Sequence, residues 1–484
     1  MMGMETIPTL PRSRPEDEGV PSRALIRLVD TLGGLDEMHS LTVLRHGAVV
    51  AEGWWDPYRP ELRHELFSLS KTVTAMAAGF ARAEGLLDFD ARVVDFFPGE
   101  VPGDPSANLA AMRVRDLLTM RTGHEEDSMG RTLIGDDWVR NFLALPVPRE
   151  PGTWFVYDTG ASYVLSAILA RVTGERLLDY VRPRLLDPLG IVGATWEQSP
   201  QGIDIGGFGL SIRTVDIAAL GVLLAQDGEF GGRRVLPEGW VAEASADGGP
   251  PVPQLDVPPD WLQGYGHQMW LCQHGAFRGD GSFGQFCIVV PDADLVFAAT
   301  AGTTQMQEVM DAVWAVLPEL ADGPLPADDA AVADLEARLA GLRLPAPGVE
   351  RAGAHGDLPF VGRDLRLART WKGISRLRVD PGPLEDLITA RIAGLDVLVR
   401  AGHGTWVEQT LVGPWGPHGT PAATGMFASV DRPAPGQWRL SLRPYPAAQR
   451  RTVTIRTRED GTAVMNAEVR ATYEAPSTGD IVLR

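Results

Sequence analysis

The sequence predicts a mixed α/β (α+β) domain followed by a small antiparallel β domain. Three observations support this: helical patterns lie between two groups of short strand patterns, the composition changes near residue 322, and the C-terminal part alternates polar and apolar residues. With 484 residues and 44% hydrophobic content, the chain has enough material for two or three domains with packed cores.

The first domain opens with a predicted hairpin, since "SLTVLRHGAVVAEGWW" (40–55) contains two strand patterns around a His-Gly turn. It closes with strand patterns at 265–273 and 284–300 and a helix at 305–320. Between them lie four helical patterns that end near glycine, at 68–87, 113–123, 161–174 and 214–228. Because strand patterns flank the helices, strands from both ends of the domain are expected to share one sheet.

The chain changes character after the first domain, which we place at residues 1–322. Residues 323–350 are rich in alanine, proline and aspartate and are predicted to form a linker with one short helix at 328–341. The remaining residues, 351–484, alternate with period two around turns such as Asp460-Gly461. This pattern predicts a separate antiparallel β domain.

Charge and composition limit the partners. The net charge of −19 disfavours nucleic acid and anionic membranes, which attract basic surfaces. The N-terminus lacks the apolar core of a signal peptide, and Cys272 and Cys287 fit buried thiols in a reducing compartment, so a cytoplasmic location is expected. The nine histidines show no metal-ligand spacing, so no metal or cofactor is expected.

Lysine is nearly absent from this chain. Of its 44 basic residues, 42 are arginine, and the two lysines are Lys71 and Lys372. Lys71 follows Ser68 by three residues, so on a helix the two side chains share one face. Burial and nearby positive charge can lower the pKa of a lysine so that it acts as a base for a serine nucleophile, whereas arginine stays protonated. Ser-x-x-Lys alone also fits a solvated lysine after a helix N-cap, but the bias against lysine favours the catalytic interpretation.

Two further segments supply groups that such a nucleophile needs. Tyr157 lies in a loop before a helix and can transfer protons, although a core aromatic residue is the alternative. In "FRGDGSFGQ" (277–285), glycines allow close backbone approach, so the N–H groups of Ser282 and Ser68 can form an oxyanion hole. The alternative for this second segment is an ordinary glycine-rich hairpin.

The motifs Ser-Leu-Ser-Lys (68–71), Tyr-Asp-Thr (157–159) and Gly-Asp-Gly (279–281) resemble, in order and spacing, those of the penicillin-recognising serine hydrolases. The resemblance spans about residues 10–320 and is strongest to the class C β-lactamase-related group of esterases, D-aminopeptidases and aminohexanoate-oligomer hydrolases. It implies a β-lactamase/transpeptidase-like fold, with an antiparallel sheet, an all-helical half and the site between them. It also implies an acyl-enzyme on Ser68, with Lys71 and Tyr157 sharing acid and base duties.

The resemblance further implies that Thr159, Asp280 and Gly281 contact the substrate, and Arg278 is a candidate to replace, from a different position, part of the charge lost at position 279. Residues 351–484 resemble the small β-barrel domains appended to some relatives. Two positions depart from the family pattern: Gly279 replaces a lysine or histidine, and Thr159 replaces an asparagine. Both departures disfavour a β-lactamase or D-Ala-D-Ala peptidase and favour hydrolysis of a small-molecule ester or amide. An acyltransferase with the same machinery remains open, and a non-catalytic binding module is the third hypothesis.

Overall fold

A computed structural model describes residues 10–249, 257–347, 358–415, 422–473 and 479–484. Two predictions concern residues outside these ranges. They are the absence of a signal peptide, which involves residues 1–9, and the junction of linker and β domain, which falls within residues 348–357. The chain divides into two compact units. The first lies within residues 1–54 and 65–342, and the second lies within residues 55–64 and 343–484. Each unit therefore contains a core of its own.

This division differs from the predicted one at two places. The helix expected in the linker exists at Asp329–Ala340 but belongs to the first unit, where it packs on the helix Ser22–Gly33. The ten residues 55–64 belong to the second unit, although they lie between two parts of the first. Composition could not show this, because both segments look like surface connections in the sequence.

The first unit contains most of the helices. Those in the described residues are α1 Ser22–Gly33, α2 Ser70–Ala83, α3 Ala107–Ala111, α4 Val114–Leu118, α5 Met129–Thr132, α6 Trp138–Leu143, α7 Thr159–Thr173, α8 Leu177–Val181, α9 Thr214–Ala225, α10 Trp240–Ala244, α11 Met306–Trp314 and α12 Asp329–Ala340. The predicted helices at 68–87, 161–174, 214–228 and 305–320 correspond to α2, α7, α9 and α11. Within the described ranges, no helix combines the length and apolar character that a bilayer crossing requires.

The strands of this part of the chain are β1 Met38–Arg45, β2 Ala48–Trp54, β3 His64–Glu65, β4 Thr195–Trp196, β5 Leu210–Ile212, β6 Glu229–Phe230, β7 Arg233–Arg234, β8 Trp270–Leu271, β9 Phe277–Gly281, β10 Gln285–Val290 and β11 Leu295–Ala301. The main sheet is antiparallel and has the order β2-β1-β11-β10-β9-β8. The pairing of β1 with β11 confirms that strands from both ends of the domain share one sheet. Helix α9 packs against this sheet, contacting β1, β10 and β11.

The helical half surrounds α2, which carries the motif lysine and is buried along most of its length. Helix α2 packs against α7 and α8, and α7 in turn contacts α4 and α6. A small residue also brings α2 close to α10, because an added Cβ at Gly79 would lie 2.8 Å from the ring of Trp240. An antiparallel sheet beside such a helical half is the β-lactamase/transpeptidase fold that the motifs implied.

The second unit is a sheet closed into a barrel. Its strands are β12 Leu365–Trp371, β13 Ile374–Pro381, β14 Glu385–Ile392, β15 Leu395–His403, β16 Val407–Gly413, β17 Ala422–Asp431, β18 Gln437–Tyr445, β19 Arg450–Thr457, β20 Ala463–Arg470 and β21 Ile481–Val482. They follow the order β12-β13-β14-β15-β17-β18-β19-β20-β21, with β16 paired to β17. A bridge between Leu367 and Leu483 joins the first strand to the last. The predicted barrel-like domain is thus confirmed.

Candidate active site

The predicted nucleophile lies in a 3-10 turn, Phe67–Leu69, that leads directly into α2. Phe67 adopts a φ of 47°, a left-handed conformation that is uncommon for a bulky residue and costs conformational energy. The turn places Ser68 at the N-terminal end of α2, where the helix dipole favours negative charge. This end of the helix therefore favours negative charge beside Ser68.

Lys71 contacts three groups that together orient its amine. Its Nζ lies 3.0 Å from Ser68 Oγ, 2.8 Å from the carbonyl oxygen of Gly207 and 3.4 Å from Thr159 Oγ1. A neutral amine has two N–H donors and one lone pair. When the two donors bind Gly207 and Thr159, the lone pair is left to accept the proton of the serine hydroxyl.

Burial makes this neutral form accessible. The Lys71 side chain is 1% exposed, and desolvation lowers its pKa to about 7. The carboxylates of Asp127, Asp280 and Asp158 oppose this effect by favouring the charged amine. Burial alone therefore lowers the pKa of Lys71, and the neighbouring charges are negative where positive charge was predicted.

Tyr157 is held above Lys71 by two aromatic side chains. Its ring stacks on Trp270, with centroids 5.5 Å apart and planes 11° apart, and meets the edge of Tyr265 at 5.9 Å. Lys71 Nζ lies 4.8 Å from the Tyr157 ring centroid, which is cation–π distance for the protonated amine. The structure thus brings Ser68, Lys71 and Tyr157 together in one site.

Asp158, the middle residue of the second motif, organises the loop around the site. Its Oδ1 accepts hydrogen bonds from the backbone N–H and the hydroxyl of Ser128, at 3.1 and 2.6 Å, and from Gly160 N–H at the start of α7. Neighbouring Asp127 accepts from the N–H of Thr159 at 3.0 Å. Partial desolvation raises the pKa of Asp127, as does the Asp158 carboxylate, while Lys71 lowers it. These hydrogen bonds fix the position of Thr159, whose hydroxyl contacts the Lys71 amine.

The glycines of the third motif lie in β9, a strand beside the nucleophile segment. A Cβ at Gly279 would lie 2.4 Å from Thr72 Oγ1, and one at Gly281 would lie 1.9 Å from the carbonyl oxygen of Leu66. The glycines thus permit a close approach between β9 and the segment that carries Ser68. The predicted approach of this backbone to a ligand stays a prediction.

Ser282 follows β9 in the turn that leads to β10. Its carbonyl oxygen accepts a hydrogen bond from Gln285 Nε2 at 3.0 Å, and the same amide nitrogen donates to Ala301 O at 2.9 Å. The next residue, Phe283, has a φ of 68° and packs edge-on against Phe67 at 5.3 Å between ring centroids. Ser68 and Ser282, the two residues predicted to form the oxyanion hole, are therefore linked by this contact, because Phe67 precedes Ser68 and Phe283 follows Ser282.

Arg278 and Asp280 form a buried ion pair in β9. Arg278 is fully buried, and its guanidinium donates to Asp280 Oδ2, Asp260 O and Cys272 Sγ, each at 2.9 Å. These contacts favour a role in holding Asp280, whose charge acts on Lys71, over direct contact with a substrate. The predicted substrate contacts of Arg278, Asp280 and Gly281 stay predictions.

Replacement of Gly281 with alanine is expected to lower activity by at least ~10²-fold, because the new Cβ would push β9 and the following Ser282 amide away from Ser68. The measurement is kcat/KM on a chromogenic ester together with the melting temperature. Gly33→Ala is the matched control, since a Cβ at Gly33 contacts nothing within 4 Å. Equal activity of Gly281→Ala and wild type would show that the close approach is irrelevant to catalysis.

Several residues of the site were not identified from sequence. Gly207 contributes only a carbonyl oxygen, which no side-chain pattern reveals, and Asp127 resembles any charged loop residue. Phe67 and Phe283 are apolar residues whose positive φ is invisible in the sequence. The available signal was the position of each phenylalanine, directly before Ser68 and directly after Ser282.

The arrangement of a serine and a buried lysine between an antiparallel sheet and helices defines the class of serine hydrolases with a β-lactamase fold. A family model described as Beta-lactamase matches residues 36–321, more than half of the chain, so the chain belongs to that family. The proteins of this family are hydrolases.

Individual relatives are distant. A 6-aminohexanoate-dimer hydrolase of Paenarthrobacter ureafaciens is 25% identical over 323 residues, which cover 60% of this chain and 81% of the relative. A protein of Bacillus anthracis assigned to the same hydrolases has a similar structure, with a TM-score of 0.52, 20% identity and coverage of 65% of this chain and 87% of the neighbour. The structure of EstCE1, described as a hydrolase with promiscuous acyltransferase activity, is similar with a TM-score of 0.51 and 18% identity. The match covers 60% of this chain and 99% of EstCE1. The two solved structures establish similarity of fold.

Proposed function

We propose that the protein hydrolyses an ester or amide of a small molecule through an acyl-enzyme on Ser68. The observation that carries this proposal is the distance of 3.0 Å between Ser68 Oγ and a buried Lys71 amine whose pKa is lowered to about 7. An amine with this pKa is partly neutral at neutral pH and can accept the serine proton.

The reaction proceeds in two acyl-transfer steps. Ser68 Oγ attacks the substrate carbonyl carbon as its proton passes to Lys71, and the N–H groups of Ser68 and Ser282 stabilise the oxyanion. The bond to the leaving group breaks, and Lys71 or Tyr157 protonates that group as it departs. Water then attacks the Ser68 ester as its proton passes to the group that protonated the leaving group. The bond between the carbonyl carbon and Ser68 Oγ breaks, Lys71 returns a proton to Oγ, and the carboxylic acid and free serine are released.

The features of the site favour a small substrate over a cell-wall peptide. Gly279 presents no side chain for a terminal carboxylate, and the Thr159 hydroxyl lies at Lys71 Nζ. The named activity of the Paenarthrobacter relative concerns a short linear molecule, 6-aminohexanoate dimer, whose hydrolysis cleaves an amide. A short linear amide or ester is therefore the substrate class that we propose.

The acyl-enzyme is the direct test. Incubation with p-nitrophenyl acetate is expected to release nitrophenol and to add one acetyl group to the intact mass of the protein. Cleavage with trypsin after Arg63 and Lys71 isolates the peptide 64–71, in which fragmentation distinguishes Ser68 from Ser70. Acetyl on Ser68 is the expected result.

Ser70→Ala is the matched control for this experiment. Ser70 is buried and its Oγ accepts a hydrogen bond from Leu210 N–H at 3.1 Å, so this variant is expected to lose about 1 kcal/mol or more of stability. It should still form the acetyl-enzyme. Acetylation of Ser70, or of neither serine during steady turnover, contradicts the proposal.

Hydrolysis and acyl transfer are separated by the fate of the same intermediate. With a soluble primary amine present, a hydrolase is expected to give mainly acetate, because water outcompetes the amine for the Ser68 ester. A product ratio dominated by the acetylated amine would instead assign the protein as an acyltransferase. In either case the chemistry at Ser68 and Lys71 is unchanged.

A further inference from the structure

The barrel of the second unit encloses a cavity of about 290 Å³, lined by residues of β12 to β20 and the turns between them. Protein interiors are otherwise close-packed, with few voids larger than a water molecule. The volume lies near the lower end of the range of pockets that hold small ligands, roughly 300–1,000 Å³. The cavity is therefore large enough for a ligand, and it belongs entirely to the unit without the serine site.

The wall of the cavity is almost entirely hydrocarbon. Aliphatic side chains alternate inward along the strands, and Trp371, Trp415 and Trp438 add aromatic surface. The indole N–H of Trp438 donates to Asp386 Oδ2 at 2.8 Å, so its polar atom already has a partner. A cavity with such a wall gives water few hydrogen bonds and favours an apolar occupant.

The charged side chains of the described wall are both cationic. Lys372 occupies the two-residue turn between β12 and β13, with φ of 45° followed by 81° at Gly373, and it is exposed to solvent. Arg451, on β19, is the other cation, and no carboxylate lines the described wall. Lys372 is also one of only two lysines in the chain. One region of the cavity is therefore complementary to an anion.

We propose that the barrel binds an amphiphile with a medium-length apolar chain and an anionic head group, such as a fatty carboxylate. At about 30 Å³ for each water-sized group, the cavity holds roughly ten such groups. A chain of this length buries its methylene groups against the hydrocarbon wall while the head group lies toward Lys372 and Arg451. This inference does not depend on the reaction proposed for Ser68.

The test is calorimetric titration of the full chain with three ligands of equal chain length: decanoate, decan-1-ol and decylammonium. Ser68→Ala protein is used, so that the proposed nucleophile contributes no reaction heat. Decanoate is expected to bind tightest and decylammonium weakest, because only the head-group charge differs. Absence of binding by decanoate overturns the proposal.

Two variants locate the binding. Ala390→Phe adds a ring inside the barrel and is expected to weaken decanoate binding by roughly tenfold or more by filling the cavity. Val412→Phe adds the same ring to a side chain that is 59% exposed and is expected to leave binding unchanged. Equal affinities of the two variants would place the ligand elsewhere and overturn the proposal.

Lys372→Glu tests the head group and requires no change in the packed wall, so it remains informative if Ala390→Phe folds poorly. It is expected to weaken decanoate binding about fivefold or more and to leave decan-1-ol unaffected. Equal loss for both ligands, or no loss for decanoate, contradicts an anion site at this turn. Melting curves of each variant establish that the barrel is intact.

Discussion

Ser68→Ala is expected to reduce kcat on p-nitrophenyl acetate by at least ~10³-fold and to abolish the acetyl-enzyme, because no other group replaces the nucleophile. The side chain is small and partly exposed, so the melting temperature should change little. The measurement is nitrophenol release under saturating substrate, together with the intact mass.

The comparison variant is Ser70→Ala, in which the adjacent buried hydroxyl is removed. A large loss of activity in both variants, with intact folding, would show that the segment matters only structurally. Turnover by Ser68→Ala at the wild-type rate would refute the nucleophile assignment altogether.

Substitution of Lys71 is expected to cost ~10²–10⁴-fold in kcat/KM, the usual contribution of a general base. Wild-type kcat/KM should rise with pH through about 7, as the buried amine loses its proton. Lys71→Arg should lose both the activity and this rise, because a guanidinium stays protonated. Retained activity in Lys71→Arg, with the same pH profile, would exclude Lys71 as the base.

The same pKa predicts a pH-dependent stability. Between about pH 7 and 10.5, the unfolded chain binds one more proton than the folded chain, since burial lowers the Lys71 pKa from 10.5 to about 7. The free energy of unfolding therefore rises with pH in this window, by up to ~1.4 kcal/mol per pH unit from this group. Urea unfolding of wild type and Lys71→Met should show a difference that changes with pH in this window.

Arg82→Met is the matched control, since Arg82 is a more exposed cation on the same helix and pairs with Glu243. The difference in free energy of unfolding between Arg82→Met and wild type should stay constant across the same pH range. If the difference between Lys71→Met and wild type also stayed constant with pH, the Lys71 amine would be charged throughout this range, contrary to the proposed mechanism.

The fold was predictable where periodicity was strong. The hairpin β1–β2, the strands β10 and β11 and the long helices α7 and α9 each follow from apolar spacing and glycine ends. Strand β9 was not identified, because its glycines read as a loop. Its strand conformation depends on pairing with β10, which is a tertiary interaction that local preference does not encode.

The site was predictable to the extent that its chemistry lies in side chains. The Ser68–Lys71 spacing and the rarity of lysine identified the proposed nucleophile and base without any structure. The reason for the low pKa was only half predicted, since burial is present but the charges acting on the amine are carboxylates. Such an environment arises from segments distant in sequence that only the folded chain brings together.

The assignment of residues 55–64 to the second unit has a consequence for the modularity of this protein. Within that unit, Asp56 O accepts a hydrogen bond from Leu344 N–H at 2.7 Å, and Tyr58 packs on Phe427. The barrel is therefore not a detachable appendage, because removing residues 343–484 would strip these partners from a segment that ends four residues before Ser68. A chimera that exchanges barrels between relatives must transplant residues 55–64 together with the C-terminal part.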